Sequence, residues 1–396
     1  MDRKKTLVIA IYSHPEYYPP TLNAITYLSG YFDRIYIVHR NITAFDWEYP
    51  ANVELLYAGA LLPVGQAEQQ STQDKIKSFW QFSRLLSRII RSSGAKTLLV
   101  YDYLPWLAYR LIKPRMPKDL LLWYHNHDVA EKQYVKKGSI SWWAWKSEQW
   151  VFPRLNIFSL PSVERQAFFP MNKFKGKFFF VPNYPSVAVY GANNKQAKSM
   201  TGPIRLLFQG SIGELHGLEE IIALLSSSIG GRPLELVLKG FISEEYKTRL
   251  RQLAEAHGVA DKLVVLPLTG YKEVIKNAQT CHIGIGIHKK QDLMNKTLGT
   301  ASNKIYEYAA SGMPVLVYDN SHFRDTLGNR PWVFFTDTSA GSLLHCLEQI
   351  MDNYMQLSSS ARKDFEEELC FEHYFTPLLE YLSERDKALT YKSGSI

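Results

Sequence analysis

Short apolar runs alternate with amphipathic stretches along almost the whole chain. Runs of this length predict buried strands, and the amphipathic stretches between them predict helices, an order that is typical of parallel α/β sheets. In the first half, we expect strands at residues 6–12, 34–38, 96–101, 120–124, 156–160 and 178–181. Several of these runs, such as LLLWY, are apolar throughout, which is typical of a sheet covered by helices on both sides.

The pattern begins again in the second half, with the apolar runs IRLLFQG, LELVLKG, KLVVLPL, CHIGIGI, PVLVY and WVFF. Between the halves, SVAVYGANNKQAKSMTGP has neither a helical nor a strand period. The sequence therefore predicts two Rossmann-like α/β domains, at residues 1–188 and 203–371, joined by a linker at 189–202. The residues after Gly341 are expected to be helical, including a last helix at 372–396.

Length and composition agree with two domains, because 396 residues that are 46% hydrophobic suffice for two cores. The apolar run near the amino terminus is short and lacks a small-residue cleavage site, so a strand is favoured over a secretion signal. No stretch has the roughly eighteen consecutive apolar residues of a membrane-spanning helix. Three scattered cysteines fit neither a disulfide framework nor a thiolate metal site. We expect a cytoplasmic protein, soluble or bound peripherally at the inner face of the cytoplasmic membrane.

The formal net charge of +8 indicates that the partners are anionic. Nucleic acid is the least favoured of them, because the sequence has no zinc-finger spacing, RNP aromatic signature or arginine-rich arm. A nucleotide diphosphate and an acidic membrane surface both remain open on charge alone.

The strongest candidate for chemistry is CHIGIGIHKKQDLMNKTLGTASNKIYEYAASGMPVLVY, which reads as strand, polar loop, helix and strand. Loops at the carboxyl ends of parallel strands bind ligands, and the free N–H groups of the following helix attract anions. We expect donor binding by Asn295, Ser302 and Asn303, with Lys289, Lys290, Lys296 and Lys304 near the diphosphate. Glu307, one turn into the helix, could accept hydrogen bonds from ribose hydroxyls, or could simply stabilise the helix dipole.

The string SNKIYEYAASGMPVL resembles the donor-site signature of the retaining glycosyltransferases of family four, which have the GT-B fold. VPNYPSV and IRLLFQGSIGELHGLEEII resemble the end of the first domain and the opening of the second. The resemblance implies two Rossmann-like domains facing across a cleft, with the last helix crossing back to the first. It also implies transfer of a hexose from a nucleotide-sugar to a glycan or lipid-linked acceptor in surface polysaccharide biosynthesis, without a cofactor or metal ion.

By the same resemblance, Glu307 holds the ribose and Lys304 the diphosphate. The chain also departs from the family, with Gly299 in place of a sugar-contacting glutamate and with Ser211 and His216 in place of two cations. Transfer builds negative charge on the leaving diphosphate, so other cations are needed. We expect Lys239 and Lys304 to supply them.

The loop that opens the second domain, GSIGELHG, is expected to touch the donor through Gly210, Ser211 and His216. His216 could be a protonated cation or a neutral loop residue. The glycines allow close backbone approach but do not form the GxGxxG fingerprint, which disfavours a nicotinamide enzyme.

In the first half, LLLWY leads into HNHDVAE, which brings His125, His127 and Asp128 to the carboxyl edge of the sheet. Two histidines make an incomplete metal site, so substrate hydrogen bonding is favoured. The resemblance implies that one of the two histidines acts on the transferred sugar or its phosphate, and it leaves open which one. Asn183 is either a sugar contact or a turn former between prolines.

The segment KQYVKKGSISWWAWKSEQW, from Lys132 to Trp150, mixes lysines with tryptophans. A helix whose tryptophans pack into the core is favoured, and contact with an anionic membrane is the alternative.

Two other functions remain open beside a retaining transferase. An epimerase or inverting transferase would need an acid or base such as Asp128 or Glu131. A noncatalytic nucleotide-sugar-binding protein would account for Gly299, Ser211 and His216. No GxSxG, HExxH or Cys/His pair is found, and a retaining transfer in which the phosphate takes the acceptor proton requires no protein nucleophile.

Overall fold

The structure is a computed structural model that describes residues 5–64, 66, 70–129, 135–191, 198–289 and 297–393. The chain forms two compact units. The first comprises Met1–Pro182 and Tyr374–Ile396, and the second comprises Asn183–His373.

The first unit contains a sheet of seven parallel strands in the order β3-β2-β1-β4-β5-β6-β7. The strands are β1 Thr6–Ile11, β2 Arg34–Ile42, β3 Val53–Leu62, β4 Thr97–Tyr101, β5 Leu121–His125, β6 Ile157–Leu160 and β7 Lys177–Phe180. All six strands expected in this half are present. Strand β3 was not predicted, although its sequence contains the apolar run LLYAGALL; in the structure this edge strand is mostly half-buried.

Helices cover this sheet and supply its core partners. They are α1 Pro19–Ser29, α2 Thr72–Ser93, α3 Leu104–Ile112 and α4 Ile140–Val151. The last helix of the chain, α13 Phe371–Ser393, belongs to this unit from Tyr374 onward. Its Phe375 ring packs against Tyr27 and Trp123, and Asp386 accepts the hydroxyl of Tyr31 at 2.6 Å.

The helix α4 meets the expectation that its tryptophans fill the core only in part, since the half-buried Trp150 packs against the core. The buried positions of α4 are Ala144, Ser147, Glu148 and Val151, which recur at helical spacing. The tryptophans lie outside this stripe, and Trp143 is 50% exposed. Lys146 lies over the rings of Trp142 and Trp145. Lys132 and Glu131 lie outside the described residues.

The second unit repeats the architecture, with parallel strands in the order β11-β10-β8-β12-β13-β14 and a short β9 antiparallel to β10. The strands are β8 Ile204–Ile212, β9 Ser228–Ile229, β10 Arg232–Ile242, β11 Leu263–Leu266, β12 Ile283–Gly286, β13 Val315–Tyr318 and β14 Val333–Thr336. The helices are α5 Val187–Tyr190, α6 Leu218–Leu224, α7 Glu244–Ala256, α8 Tyr271–Gln279, α9 Asn303–Ala310, α10 Ser321–Leu327, α11 Ala340–Asp352 and α12 Tyr354–Glu367. The prediction of two Rossmann-like α/β domains is confirmed.

Residues 183–188 are part of the second unit because hydrogen bonds tie them to it. The backbone N–H of Asn183 donates to the carbonyl of Thr300 at 3.1 Å, and that of Phe371 donates to Pro185 at 2.9 Å. The Glu372 carboxylate accepts the N–H of Val187 at 3.0 Å.

The order of the strands places one switch point in each sheet, between β1 and β4 in the first unit and between β8 and β12 in the second. At such a point the chain connections leave in opposite directions and open a crevice at the carboxyl ends of the strands. Both groups of predicted site residues lie at these ends. Within the described residues, no helix combines the length and apolarity needed to cross a bilayer.

Candidate functional site

In the second unit, α9 sits at the carboxyl ends of β8 and β12 and turns one face toward them. Lys304, Glu307 and Tyr308 share this face because they are spaced three and four residues apart. Ser302 is the N-cap of the helix, and Asn303 is its first residue. The predicted helix, with its break at Gly312, is therefore present as expected.

The carboxylate of Glu307 is buried and already held by two donors. Its Oε1 accepts the hydroxyl of Tyr271 at 2.7 Å, and its Oε2 accepts the side-chain amide of Gln209 at 2.5 Å. Burial raises the pKa of Glu307, while both hydrogen bonds and the nearby Lys304 oppose that rise. Such a carboxylate still has free lone pairs for ligand hydroxyls.

Tyr308 fixes the strand beside this carboxylate. The backbone N–H of Gln209 donates to the Tyr308 hydroxyl at 2.9 Å. The ring can approach because Gly284 has no side chain, since a Cβ there would lie 2.2 Å from the Tyr308 ring. The glycines in CHIGIGI thus serve packing between β12 and α9.

Lys304 belongs to a cluster of nitrogen-bearing side chains at the same edge. Its ammonium lies 4.0 Å from the centre of the Phe208 ring and 3.5 Å from Nε2 of His288. The His216 ring packs against both Phe208 and His288. Burial lowers the pKa of Lys304 to about 7, with Glu307 opposing the shift.

The histidines of this cluster are neutral in the structure. Burial, and then Lys304, lower the pKa of His216 to about 4, and its Nδ1 accepts the N–H of Gly213 at 3.2 Å. Burial and the same lysine also hold the pKa of His288 well below its ordinary value. A bound diphosphate would favour protonation of all three groups.

Ser211 and Gly210 lie at the end of β8. Both are exposed, and a Cβ on Gly210 would lie 3.8 Å from Cε of Lys304. This end of the strand therefore borders the side chain of Lys304.

Lys239 has a different environment from the one expected for a cation on the diphosphate. Its buried ammonium donates to the carbonyl of Pro267 at 2.7 Å and to the hydroxyl of Thr269 at 2.6 Å. These residues lead into α8, whose first residue is Tyr271. Lys239 thus holds the loop that presents Tyr271 to Glu307.

The turn before α9, Gly299–Ala301, is held from three sides. Asn183 donates its side-chain amide to the carbonyl of Ala301 at 2.8 Å, and the hydroxyl of Tyr306 donates to Gly299 at 2.9 Å. The N–H of Gly299 donates to Nε2 of His322 at 2.7 Å. A Cβ on Gly299 would lie 2.7 Å from Thr326 and 2.8 Å from His322, so α10 fills the space that a larger side chain at this position would need.

Of the remaining residues in the predicted donor segment, the structure describes only Lys289. Asn295, Lys290 and Lys296 lie outside the described residues. Lys289 forms an ion pair with Glu220.

In the first unit, His127 is enclosed by aromatic rings at the carboxyl ends of β4 and β5. Its imidazole stacks between Tyr18 and Tyr101, at 4.9 Å from each ring centre. Its Nε2 lies 3.1 Å from the Thr21 hydroxyl, and its Nδ1 lies 3.5 Å from Oδ2 of Asp102. The ring is therefore fixed in position and orientation.

His125 lies behind His127 at the end of β5. Its Nδ1 lies 2.9 Å from the Ser159 hydroxyl, and the two imidazole centres are 4.8 Å apart. Burial, and then His127, hold the pKa of His125 well below its ordinary value. Asp128 is exposed, and its N–H donates to Asp102 at 3.3 Å.

A buried polar chain extends from Asp102 to α4. The side-chain amide of Asn126 donates to the Tyr124 hydroxyl at 3.0 Å and lies 3.4 Å from Oδ1 of Asp102. The Tyr124 hydroxyl in turn donates to the carboxylate of Glu148. Burial raises the pKa of Glu148 to about 7.

Sequence reasoning missed several residues of these sites. Gln209, His288 and Asp102 carried a signal, because each is a polar residue at or just after the end of a predicted buried strand. Tyr271 and His322 carried none, because they reach their sites from distant elements. Among the side chains that the structure describes, no three His, Cys, Asp or Glu residues converge as a metal site.

Comparison with known proteins finds similarity in structure but not in sequence. No protein-family model and no curated protein sequence matches the chain. Sucrose-phosphate synthase from Thermosynechococcus elongatus superposes with a TM-score of 0.66 at 11% identity, over 97% of this chain and 100% of that chain. A glycosyltransferase from Rickettsia africae gives 0.65 at 12% identity, over 96% and 98% of the two chains.

The complex of Anabaena HepE with UDP and glucose also gives a TM-score of 0.65 at 12% identity, over 96% of this chain and 100% of that chain. At these identities the likeness shows the fold alone. The chain has the GT-B fold that the sequence predicted.

Proposed function

We propose that the protein is a glycosyltransferase that moves a hexose from a nucleotide-sugar to a glycan or lipid-linked acceptor with retention of configuration. One observation carries the proposal: Glu307 and Lys304 lie one helical turn apart on α9, at the switch point of a Rossmann-like sheet in a GT-B fold. Glu307 provides acceptors for ribose hydroxyls, and Lys304 provides the cation for the diphosphate.

In the proposed reaction, the acceptor oxygen bonds to the anomeric carbon on the face from which the diphosphate leaves. The bond between the anomeric carbon and the phosphate oxygen breaks, and its electron pair leaves with the diphosphate. A phosphate oxygen takes the acceptor proton. Lys304 stabilises the departing charge. We expect no metal requirement, because Lys304 and the amides of the first turn of α9 supply the stabilisation.

The donor is proposed to be a UDP-sugar, which is supported by the HepE structures in complex with UDP, with UDP and glucose, and with UDP-glucose. WaaG, which gives a TM-score of 0.63 at 12% identity, is described as involved in lipopolysaccharide biosynthesis. This supports a place for the present chain in the assembly of surface polysaccharides at the inner face of the cytoplasmic membrane.

The donor assignment is tested by thermal-shift measurements with UDP-, GDP- and ADP-sugars. Loss of a hydrogen bond to a charged group costs about 1.5–3 kcal/mol, so Glu307→Ala should weaken binding roughly 10- to 100-fold. Lys304→Ala should also reduce the donor-induced shift. Glu348→Ala, on the exposed side of α11, is the control and should keep the wild-type shift. Full retention of the shift in both site variants would reject the assignment.

Peripheral membrane contact is proposed for the first unit. Trp143 is exposed on α4, and Arg154 lies 4.2 Å from the Trp150 ring at the end of that helix. Arg154 also lines a groove of about 460 Å³ whose other charged residues are Lys175, Lys177 and Arg385. Aromatic and basic side chains together bind anionic lipid surfaces.

The membrane proposal is tested by co-sedimentation with vesicles. We expect binding to phosphatidylglycerol vesicles but not to phosphatidylcholine vesicles, with weaker binding by Trp143→Ala and by Lys175→Ala combined with Lys177→Ala. Equal binding to both vesicles, or to neither, would contradict it.

A noncatalytic nucleotide-sugar-binding protein is the second candidate. It is favoured by the pKa of about 4 at His216, which leaves that position uncharged in the free protein. Donor binding without hydrolysis or transfer, across a broad set of acceptors, would establish this function instead. Release of an epimerised sugar without acceptor would establish an epimerase.

A further inference from the structure

Gln209 occupies the end of the buried part of β8, directly beside Glu307. The residue is 3% exposed. Its backbone is fixed from α9 by the Tyr308 hydroxyl at 2.9 Å, and its side chain is fixed from the same helix by Glu307. Because both contacts are to the same helix, the backbone and the side chain of Gln209 are held in place relative to Glu307.

The chemistry of Glu307 decides which way the amide of Gln209 faces. An ionised carboxylate can only accept hydrogen bonds, so the NH₂ group must point toward it. The amide oxygen, Oε1, then points to the other side. Within the part of the chain that the structure describes, this buried oxygen has no hydrogen-bond partner.

A buried acceptor without a partner costs about 1–3 kcal/mol, and a ligand that donates to it recovers that cost. The complementary group is a hydroxyl or an N–H, because an oxygen atom with lone pairs cannot bind a phosphate oxygen. Glu307 presents further lone pairs on the adjacent side. The two side chains together therefore present acceptors to two neighbouring donors.

We propose that Gln209 is a second nucleotide-contacting residue, whose Oε1 accepts one ribose hydroxyl while the carboxylate of Glu307 accepts the other. The inference rests on the proposed function and extends it to a requirement for an intact ribose diol. The side-chain amide has two tasks, since its NH₂ group holds Glu307 and its oxygen contacts the ligand.

The test compares UDP with 2′-deoxy-UDP and 3′-deoxy-UDP in calorimetric titrations of the full chain, with the GDP and ADP series in parallel. Wild-type protein should bind both deoxy analogues more weakly, by roughly 2- to 10-fold where the lost partner is the neutral amide oxygen and by roughly 10- to 100-fold where it is the Glu307 carboxylate. Gln209→Met, which keeps the volume of the side chain, should lose discrimination against one of the two analogues and keep it against the other.

Tyr271→Phe is the matched control, because it removes the other donor to Glu307 and leaves Gln209 in place. This variant should weaken the binding of UDP and of both deoxy analogues by the same factor. The two ratios of UDP affinity to deoxy-analogue affinity should therefore stay at their wild-type values. A uniform loss of both ratios in Gln209→Met would show that Gln209 only positions Glu307, and unchanged ratios would show no contact. Either result overturns the inference while the proposed function stands.

A second variant keeps the proposal testable if Gln209→Met fails to fold. Gln209→Glu retains an oxygen atom toward the ligand but places a second carboxylate against that of Glu307. Two adjacent carboxylates share one proton, because like charges at this distance disfavour ionisation of both. Relative to wild type at the same pH, binding of UDP-glucose by this variant should be weaker at about pH 8 and recover toward about pH 5.5, whereas a pH dependence identical to that of wild type would overturn the inference. If the wild-type protein binds none of UDP, GDP and ADP, the proposed function fails and the inference fails with it.

Discussion

The backbone N–H of His127 donates to Oδ1 of Asp102 at 2.8 Å, and Nδ1 of the same histidine lies 3.5 Å from the other carboxylate oxygen. Asp102 adopts a φ of 59°, a left-handed conformation that costs most side chains roughly 1–2 kcal/mol. Aspartate and asparagine tolerate it best, because their short polar side chains bond locally. Asp102 therefore accepts a hydrogen bond from the backbone N–H of His127 and also makes a charge contact with its imidazole.

Replacing Asp102 should separate these two roles. Asp102→Asn keeps an acceptor and the tolerance of positive φ, so its stability should stay within about 1 kcal/mol of wild type. Asp102→Ala leaves the N–H of His127 without its acceptor and should cost about 1–3 kcal/mol. Both variants should transfer sugar more slowly, measured by product formation beside urea denaturation. Wild-type stability and rate in Asp102→Ala would contradict the assignment.

Donor binding should weaken as pH rises above about 7. The pKa of Lys304 is about 7 in the free protein, and a bound diphosphate raises it, so the protonated form binds better. Affinity should be flat below this pKa and fall up to about tenfold per pH unit above it. His216, with a pKa of about 4, and His288, whose pKa is lower than usual, stay neutral in this range.

Calorimetry with UDP-glucose checks the pH dependence, because its phosphates do not titrate near neutrality. Lys304→Arg is the matched variant, since the guanidinium stays charged throughout and should remove the dependence. The same slope in Lys304→Arg would assign the proton to another group.

Glu148 should make folding stability depend on pH. Burial raises its pKa from 4.5 to about 7, so the folded state prefers the protonated form. Its contribution to the free energy of unfolding is fully present below about pH 4.5 and is lost as pH rises through about 7. The free energy of unfolding should change by roughly 3 kcal/mol over this range. Glu148→Gln keeps the acceptor for the Tyr124 hydroxyl and should flatten this dependence, exceeding wild type at about pH 8. Urea denaturation across the range tests this, with Glu348→Gln as the exposed control; parallel curves for wild type and Glu148→Gln would refute it.

Gly299 should resist substitution by any larger residue. A Cβ would lie 2.7 Å from Thr326 and 2.8 Å from His322, so Gly299→Ala should destabilise the protein by about 1–3 kcal/mol. Gly341→Ala, at the start of α11 with nothing within 4 Å of the added carbon, should be neutral or slightly stabilising. For the same reason Gly299→Glu should lower the rate of transfer rather than raise it. A Gly299→Glu variant that is more active than wild type would show that α10 moves aside to make room for the side chain.

The sequence by itself determined the type and order of the elements. Apolar runs and helical periods are local properties, so they predicted six of the seven strands of the first half and the strand, turn and helix around SNKIYEY. The prediction omitted β3, an edge strand that is mostly half-buried although its sequence contains the apolar run LLYAGALL. Nor could they show that the tryptophans of α4 flank its buried stripe, because packing direction depends on the sheet beneath.

Only the tertiary structure decided which side chains meet. Gln209 reaches Glu307 because β8 and β12 are neighbours and α9 follows β12, although the two residues are nearly one hundred positions apart. The same adjacency of strand ends joins Asp102 to His127 and gives Lys239 its loop partners. Local patterns encode whether a residue lies on a strand or helix, whereas contacts between strand ends depend on the order of strands in the sheet. That order is a property of the whole folded domain.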